Sequence, residues 1–400
     1  MKYRLPMLLD GASQNEQSEA AEPPSTRLAE IFRQDIRSGA RVLFLRIPTE
    51  YYPLDEDSEE RFRKIAAEYA EAARKAIAEE NAECPIAGVI SPVTADDEDE
   101  LSFMKLVDIY TDAAAAYAEA GCDIISAEGM GYMEECRAAV IGGRKTALPV
   151  WVTVTSDSEG MTLPDCADTS VFACLLVSQE LGAEAFGIQD VPCCADAAEV
   201  LGELKEFAKI PLIARPNALA DFESERELSP DEFAENLRLF TDSGAEIFGG
   251  HNLSREYIEK AEKIVGEKGI IRFGRERAES DELLLANRRQ VFFLSPDSIE
   301  SSPYLECSLD MSDELLELED TNFDVIAVEL YTSDDAYHFA RNASMANLPV
   351  MFRSDDEMAL KAALLCYQGR AMIDRSCSID EDRLHRIAGK YGAVVYCSNG

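Results

Sequence analysis

Gly182-Ala183-Glu184-Ala185-Phe186-Gly187-Ile188-Gln189-Asp190 and Gly244-Ala245-Glu246-Ile247-Phe248-Gly249-Gly250 open on the same tripeptide and continue into the same kind of segment. In each, the glycine suits the left-handed turn that closes a helix. The short apolar run that follows reads as a strand. Gly121 precedes a third strand of this type. Working outward from these points, eight strands are expected at 7–10, 41–48, 86–91, 123–128, 149–155, 185–190, 211–217 and 247–252. Most are near-continuous apolar runs, as parallel strands covered on both faces require. Helices separate them. Residues 58–82 carry Ala, Ile and Tyr at three- and four-residue spacing. Ser229-Pro230-Asp231-Glu232 is a capping box with proline at the first helical position, and Ser254-Arg255-Glu256 starts a further helix. Strict strand–helix alternation over residues 1–275 predicts a closed (β/α)8 barrel, with an open doubly wound sheet as the alternative. No Gly-x-Gly-x-x-Gly turn follows the first strand, which counts against a dinucleotide fold.

Barrel chemistry sits at the C-terminal strand ends. The residues there are Asp10, Thr49, Ser91, Glu128, Thr155, Asp190, Asn217, and His251 with Asn252. For any one of them, a hydrogen-bonded strand cap is the ordinary role. A polar residue closing all eight strands is the stronger signal, and it includes one of the chain's three histidines.

The chain has 400 residues, 46% of them hydrophobic, and a formal net charge of −39. That charge repels nucleic-acid phosphates and anionic lipid, so neither nucleic acid nor membrane is an expected partner. No run reaches the ~20 apolar residues of a membrane helix. Residues 1–10 do not form a signal peptide. Eleven scattered cysteines fit reduced thiols and a cytoplasmic location.

Several of these segments, taken in order, resemble one family. Pro6-Met7-Leu8-Leu9-Asp10-Gly11-Ala12 resembles the opening strand of homocysteine S-methyltransferases, which include the N-terminal module of cobalamin-dependent methionine synthase. Ala87-Gly88-Val89-Ile90-Ser91-Pro92 is similar to the third-strand pattern, and Asp123-Ile124-Ile125 with Glu128 and Met130 to the fourth. Pro211-Leu212-Ile213-Ala214-Arg215-Pro216-Asn217-Ala218 is similar to the seventh, and the Gly244–Gly250 stretch to the eighth. The likeness covers residues 5–265.

The resemblance implies methyl transfer to a small-molecule thiol or amino acid. Asp10, Glu128, Asn217 and Asn252 are then the substrate-binding residues, with Glu128 on the amino group. It also implies zinc, held by three cysteines that keep the homocysteine thiol deprotonated. A free thiol, with a pKa of ~8.5, is mostly protonated at neutral pH. Here the sixth-strand position is Asp190 and the eighth-strand pair is His251-Asn252. The first loop reads Ala12-Ser13-Gln14-Asn15 in place of Gly-x-Gly-Thr.

Three readings follow. In the first, the metal is lost and the barrel is a non-catalytic or repurposed binding partner. In the second, Asp190 and His251 form an altered metal site, with Cys193 or Cys194 joining them. In the third, the ligand cysteine is displaced by a few residues, although no cysteine pair follows Gly250. Catalysis would fall to Asp190 and His251, with His251 as general base where no metal serves.

Residues 275–290 are charged and poorly periodic, and the domain boundary is expected there. A second β/α series over 288–400 places strands at 290–294, 304–308, 323–330, 349–352, 370–374 and 393–396. Its helices are expected at 312–319, 334–346, 357–367 and 380–391. It is too short for another barrel, so a half-barrel or an open flavodoxin-like sheet is expected. Pro349-Val350-Met351-Phe352-Arg353-Ser354-Asp355-Asp356 and the run from Ala363 to Arg370 resemble the middle of the pterin-binding barrel of methionine synthases. Arg353 stands where that family has an aspartate, and Asp374 where it has a pterin-contacting asparagine. No cobalamin-binding Asp-x-His-x-x-Gly pattern occurs, so cobalamin or folate would act only through a partner such as a corrinoid protein.

Overall fold

The computed structural model describes residues 7–8, 25–93, 101–164, 168–191, 193–219, 226–250, 254–268, 281–319 and 321–396. Eight of the described strands form one parallel sheet: β1 (Met7–Leu8), β2 (Leu43–Leu45), β3 (Ile86–Ile90), β4 (Ile124–Met130), β5 (Val150–Thr155), β6 (Ala185–Gln189), β7 (Leu212–Arg215) and β8 (Ala245–Phe248). Their order is β1-β8-β7-β6-β5-β4-β3-β2, the cyclic order of a (β/α)8 barrel. The strand expected at 247–252 begins two residues earlier, because Ala245 already pairs with Leu212.

The helices are α1 (Ser25–Ser38), α2 (Glu56–Glu80), α3 (Phe103–Glu119), α4 (Met133–Gly143), α5 (Val171–Leu181), α6 (Cys194–Lys205), α7 (Pro230–Asp242) and α8 (Arg255–Lys268). Local chemistry sets their ends. Ser229 accepts from the Glu232 amide, and Glu232 returns the bond to the Ser229 amide, as the capping box requires. Gly182 closes α5 at φ 101°.

Alternate strand residues point inward. Val42, Phe44, Ala87, Val89, Ile124, Trp151, Ala185, Ile213 and Ile247 form one buried cluster, with large side chains meeting Ala87 and Ala185. This is the filled interior expected of a barrel of this size. Gly187 allows a close approach: a Cβ there would lie 2.0 Å from the Ile213 carbonyl oxygen.

Contacts divide the chain into two units. The first is Met1–Ala167 with Ala183–Arg277, and the second is Asp168–Gly182 with Ala278–Gly400. Helix α5 therefore belongs to the second unit, although it lies between β5 and β6 in the chain. Within that unit its Glu180 pairs with Arg370 at 3.2 Å, and Phe172 meets Phe293 with ring centroids 6.0 Å apart. Such a helix is buried all round, and its sequence is apolar all round.

The second unit holds a five-stranded parallel sheet: β11 (Leu305–Glu306), β12 (Ile326–Glu329), β13 (Val350–Arg353), β14 (Met372–Asp374) and β15 (Val394–Tyr396), in sequential order. A flavodoxin-like sheet would instead reverse direction at a switch point. The strand order is that of half a barrel. Helices α9 (Ser312–Glu319), α10 (Ser333–Asn342), α11 (Glu357–Cys366) and α12 (Glu381–Tyr391) cover one face through Leu315, Phe339, Leu360 and Leu384. The other face is covered by an antiparallel hairpin of β9 (Leu283–Ala286) and β10 (Val291–Leu294). Leu285 and Leu294 of that hairpin pack on Val325, Ala327, Met351 and Met372. Strand β9 lies within residues 275–290, a stretch that is poorly periodic in sequence. Leu283-Leu284-Leu285-Ala286 supplies the apolar cover that the missing half of a barrel would have given.

Among the described residues, no helix is long and apolar enough to cross a membrane. The nine described cysteines are all free thiols.

Candidate active site

Interior parity puts a polar layer directly above the apolar barrel core. Arg46 lies two residues beyond Phe44, Glu128 four beyond Ile124, Thr153 two beyond Trp151, Gln189 four beyond Ala185 and Arg215 two beyond Ile213. All five are buried. Glu128 Oε2 lies 2.9 Å from Arg215 Nη1 and 3.3 Å from Arg46 Nη2. Ser126 Oγ donates to Glu128 Oε1 at 3.3 Å. Both guanidinium groups also stand over the Phe44 ring, at 4.7 Å for Arg46 and 5.6 Å for Arg215.

A second chain of bonds runs round the same end. The Gly129 amide donates to Thr153 Oγ1 at 3.4 Å, and Thr153 Oγ1 donates to Gln189 Oε1 at 2.7 Å. Gln189 Nε2 then donates to Asp190 Oδ2 at 3.1 Å. Asn217 Nδ2 donates to the Asp190 carbonyl at 3.4 Å. Asp190 holds φ at 59°, a left-handed conformation that aspartate tolerates better than most side chains. The structure thus brings Glu128, Asp190 and Asn217 to one end of the barrel. Asp10, His251 and Asn252 lie outside the described residues.

Ser91 and Thr155 have the ordinary strand-end role. The Ser91 amide donates to the Tyr52 hydroxyl at 2.7 Å, and Thr155 Oγ1 donates to the Leu163 carbonyl at 2.8 Å. Reading the strand ends missed Arg46, Thr153, Gln189 and Arg215. They sit inside the ends, and counting in twos from Phe44, Trp151, Ala185 and Ile213 would have found them.

The described donors do not assemble a zinc set. Among the described residues, no three His, Cys, Asp or Glu side chains gather to hold a metal ion. Cys193 caps α6 and Cys194 begins it. Cys194 Sγ donates to the Asn217 carbonyl at 3.8 Å, which requires a protonated thiol. Burial pushes the Cys194 thiol up to about 12, and burial also raises that of Cys193. Both cysteines are therefore expected to stay unmodified by iodoacetamide at pH 8 in the native protein and to react once it is unfolded, as read by peptide mass spectrometry. Rapid native labelling of either one would contradict this environment.

In the second unit, Arg353 pairs with Glu329. Asp374 is buried and accepts from the Tyr304 hydroxyl, and from the amide and hydroxyl of Ser376 at 2.8 Å each. Burial, followed by the neighbouring Asp374, raises the Tyr304 hydroxyl to about 12.

A family model described as homocysteine S-methyltransferase matches residues 46–260, more than half of the chain. A methionine synthase of Mycobacterium leprae (strain TN) is 30% identical over 154 residues, covering 36% of this chain and 12% of that protein. One from Mycobacterium tuberculosis (strain ATCC 25618 / H37Rv) is 31% identical over 154 residues, covering 36% and 13%. The matched stretch is thus a small part of those relatives. The oxidized form of the homocysteine methyltransferase MmuM from Escherichia coli superposes with a TM-score of 0.52 at 20% identity, covering 64% of this chain and 95% of that one. That likeness concerns the fold. The match over β3 to β8, with the barrel order of the strands, places this chain in the homocysteine S-methyltransferase family.

Proposed function

We propose that the first unit binds a small thiol at the C-terminal mouth of its barrel and transfers a methyl group to the sulphur. The observation that carries this reading is the buried polar layer of Arg46, Glu128, Thr153, Gln189 and Arg215, which lies toward the C-terminal strand ends of a barrel whose strands match the family model. A packed barrel has no structural need for a second charged layer above its apolar one, and burying charge is costly unless it serves a purpose. In the reaction, the thiol loses its proton to a base and the sulphur attacks the methyl carbon. The bond to the donor breaks with its electron pair. Asp190 and His251 are the residues this reading assigns to that proton loss, either by holding a metal that acidifies the thiol or by taking the proton directly.

A second reading, a non-catalytic or repurposed binding partner in one-carbon metabolism, draws on the sequence, where Asp190 and His251-Asn252 stand in place of the family's ligand cysteines. Calorimetry with homocysteine, run beside a zinc assay, separates the two. Saturable binding that weakens about tenfold or more in Asp190→Ala, with S-methylated product detected by mass spectrometry, supports the enzyme. A folded protein that binds no homocysteine, with or without added zinc, overturns it.

A further inference from the structure

We infer that Arg215 is the receptor for a carboxylate, so that the small molecule taken at the barrel mouth is recognised as an acid and not through its ammonium group. This deepens the reading above and rests on it only in using the same mouth.

Arg215 is 1% exposed. Its guanidinium has five N–H donors in a rigid fork. None of Nε, Nη1 and Nη2 makes a hydrogen bond among the described residues. Nη1 is 2.9 Å from Glu128 Oε2, close enough for charge attraction but not aligned along a hydrogen bond. The ring of Phe44 lies under the guanidinium and offers only a diffuse attraction. Buried donors that make no hydrogen bond are rare, and each costs free energy unless an acceptor aligns with it. A carboxylate matches the fork with two parallel bonds.

Charge points the same way. The expected role of Glu128 is to hold a substrate ammonium, yet its Oε2 already faces two guanidinium groups. A third cation brought to that oxygen would meet the repulsion of both. A monoanion beside Arg215 meets one adjacent carboxylate and two guanidiniums. A dianion such as phosphate would meet stronger repulsion from Glu128, which favours a singly charged acid. Asp190 and Asn217 are half-buried and follow strands β6 and β7 at the same end of the barrel.

The test uses the full chain and four ligands in calorimetry: homocysteine, 4-sulfanylbutanoate, which lacks the ammonium, 3-aminopropane-1-thiol, which lacks the carboxylate, and butanoate. The expected result is similar binding of the first two and a loss of about tenfold or more for the aminothiol. Arg215→Met should erase that preference, and Arg215→Lys should restore part of it by returning the charge without the fork. Should Arg215→Met fail to fold, the ligand series on the native chain decides by itself. Binding of the aminothiol as tight as that of 4-sulfanylbutanoate overturns the inference and leaves the thiol reading standing. Binding of butanoate as tight as that of 4-sulfanylbutanoate leaves the acid site standing and removes the thiol as the recognised group. No binding by any of the four overturns both.

Discussion

Glu128→Leu is expected to destabilise the first unit by about 3–5 kcal/mol, the usual cost of removing one partner from a buried ion pair. The exposure of the three charged groups supports this size: 6% for Glu128, 7% for Arg46 and 1% for Arg215. The carboxylate is what separates two buried guanidiniums that share Oε2. Without it, two positive charges face each other over the Phe44 ring in a medium that screens poorly. The chain has a single tryptophan, Trp151, and it belongs to the barrel interior. Urea unfolding followed by its fluorescence therefore reports on the first unit. Adding Arg215→Met to Glu128→Leu should recover part of the loss, because the double change removes the uncompensated charge together with its cause. A Glu128→Leu protein within about 0.5 kcal/mol of the parent would show that the pair carries no such burden.

Trp151→Ala is expected to cost a similar amount, about 3–5 kcal/mol, by a different route. Trp151 is 1% exposed and is the largest side chain in a cluster that includes Val42, Phe44, Ala87, Val89, Ile124, Ala185, Ile213 and Ile247. These come from seven different strands. A barrel cannot contract round a lost indole without changing the tilt and stagger of every strand, so the cavity stays open. The strand ladders would resist that change, since β5 pairs with β6 from Trp151 to Thr155. The variant loses the fluorescent probe, so far-UV circular dichroism in urea is the measurement. A loss below about 1 kcal/mol would mean that the interior is not close-packed at this level.

The outlines of the fold were legible along the chain because they depend on local chemistry. Ser229 and Glu232 cap a helix using atoms three residues apart. Gly182 and Gly244 take left-handed angles where a helix must end. The apolar runs of β3, β5 and β6 read as buried parallel strands because both of their faces are covered. Strand β9 escaped notice because Leu283–Ala286 is short and sits between charged stretches. Nothing local shows that the open face of a half-barrel needs a cover. Helix α5 likewise reads as one more barrel helix. That it groups with residues 278–400 depends on partners more than a hundred residues away, Phe293 and Arg370 among them.

The site divides in the same way. Glu128, Asp190 and Asn217 were visible as polar residues closing apolar strands, a property each strand carries by itself. Arg46 and Arg215 were on the same page of sequence, but a lone arginine at the end of a strand has no meaning until its partner is known. Glu128 is 82 residues from Arg46, and only the curl of the sheet carries β2, β4 and β7 round to a common interior. The sequence alone determined which segments become strands and helices, and that a polar end exists. Tertiary structure decided which charges share that end, because side-chain direction alternates along a strand while its neighbours across a barrel are set by closure.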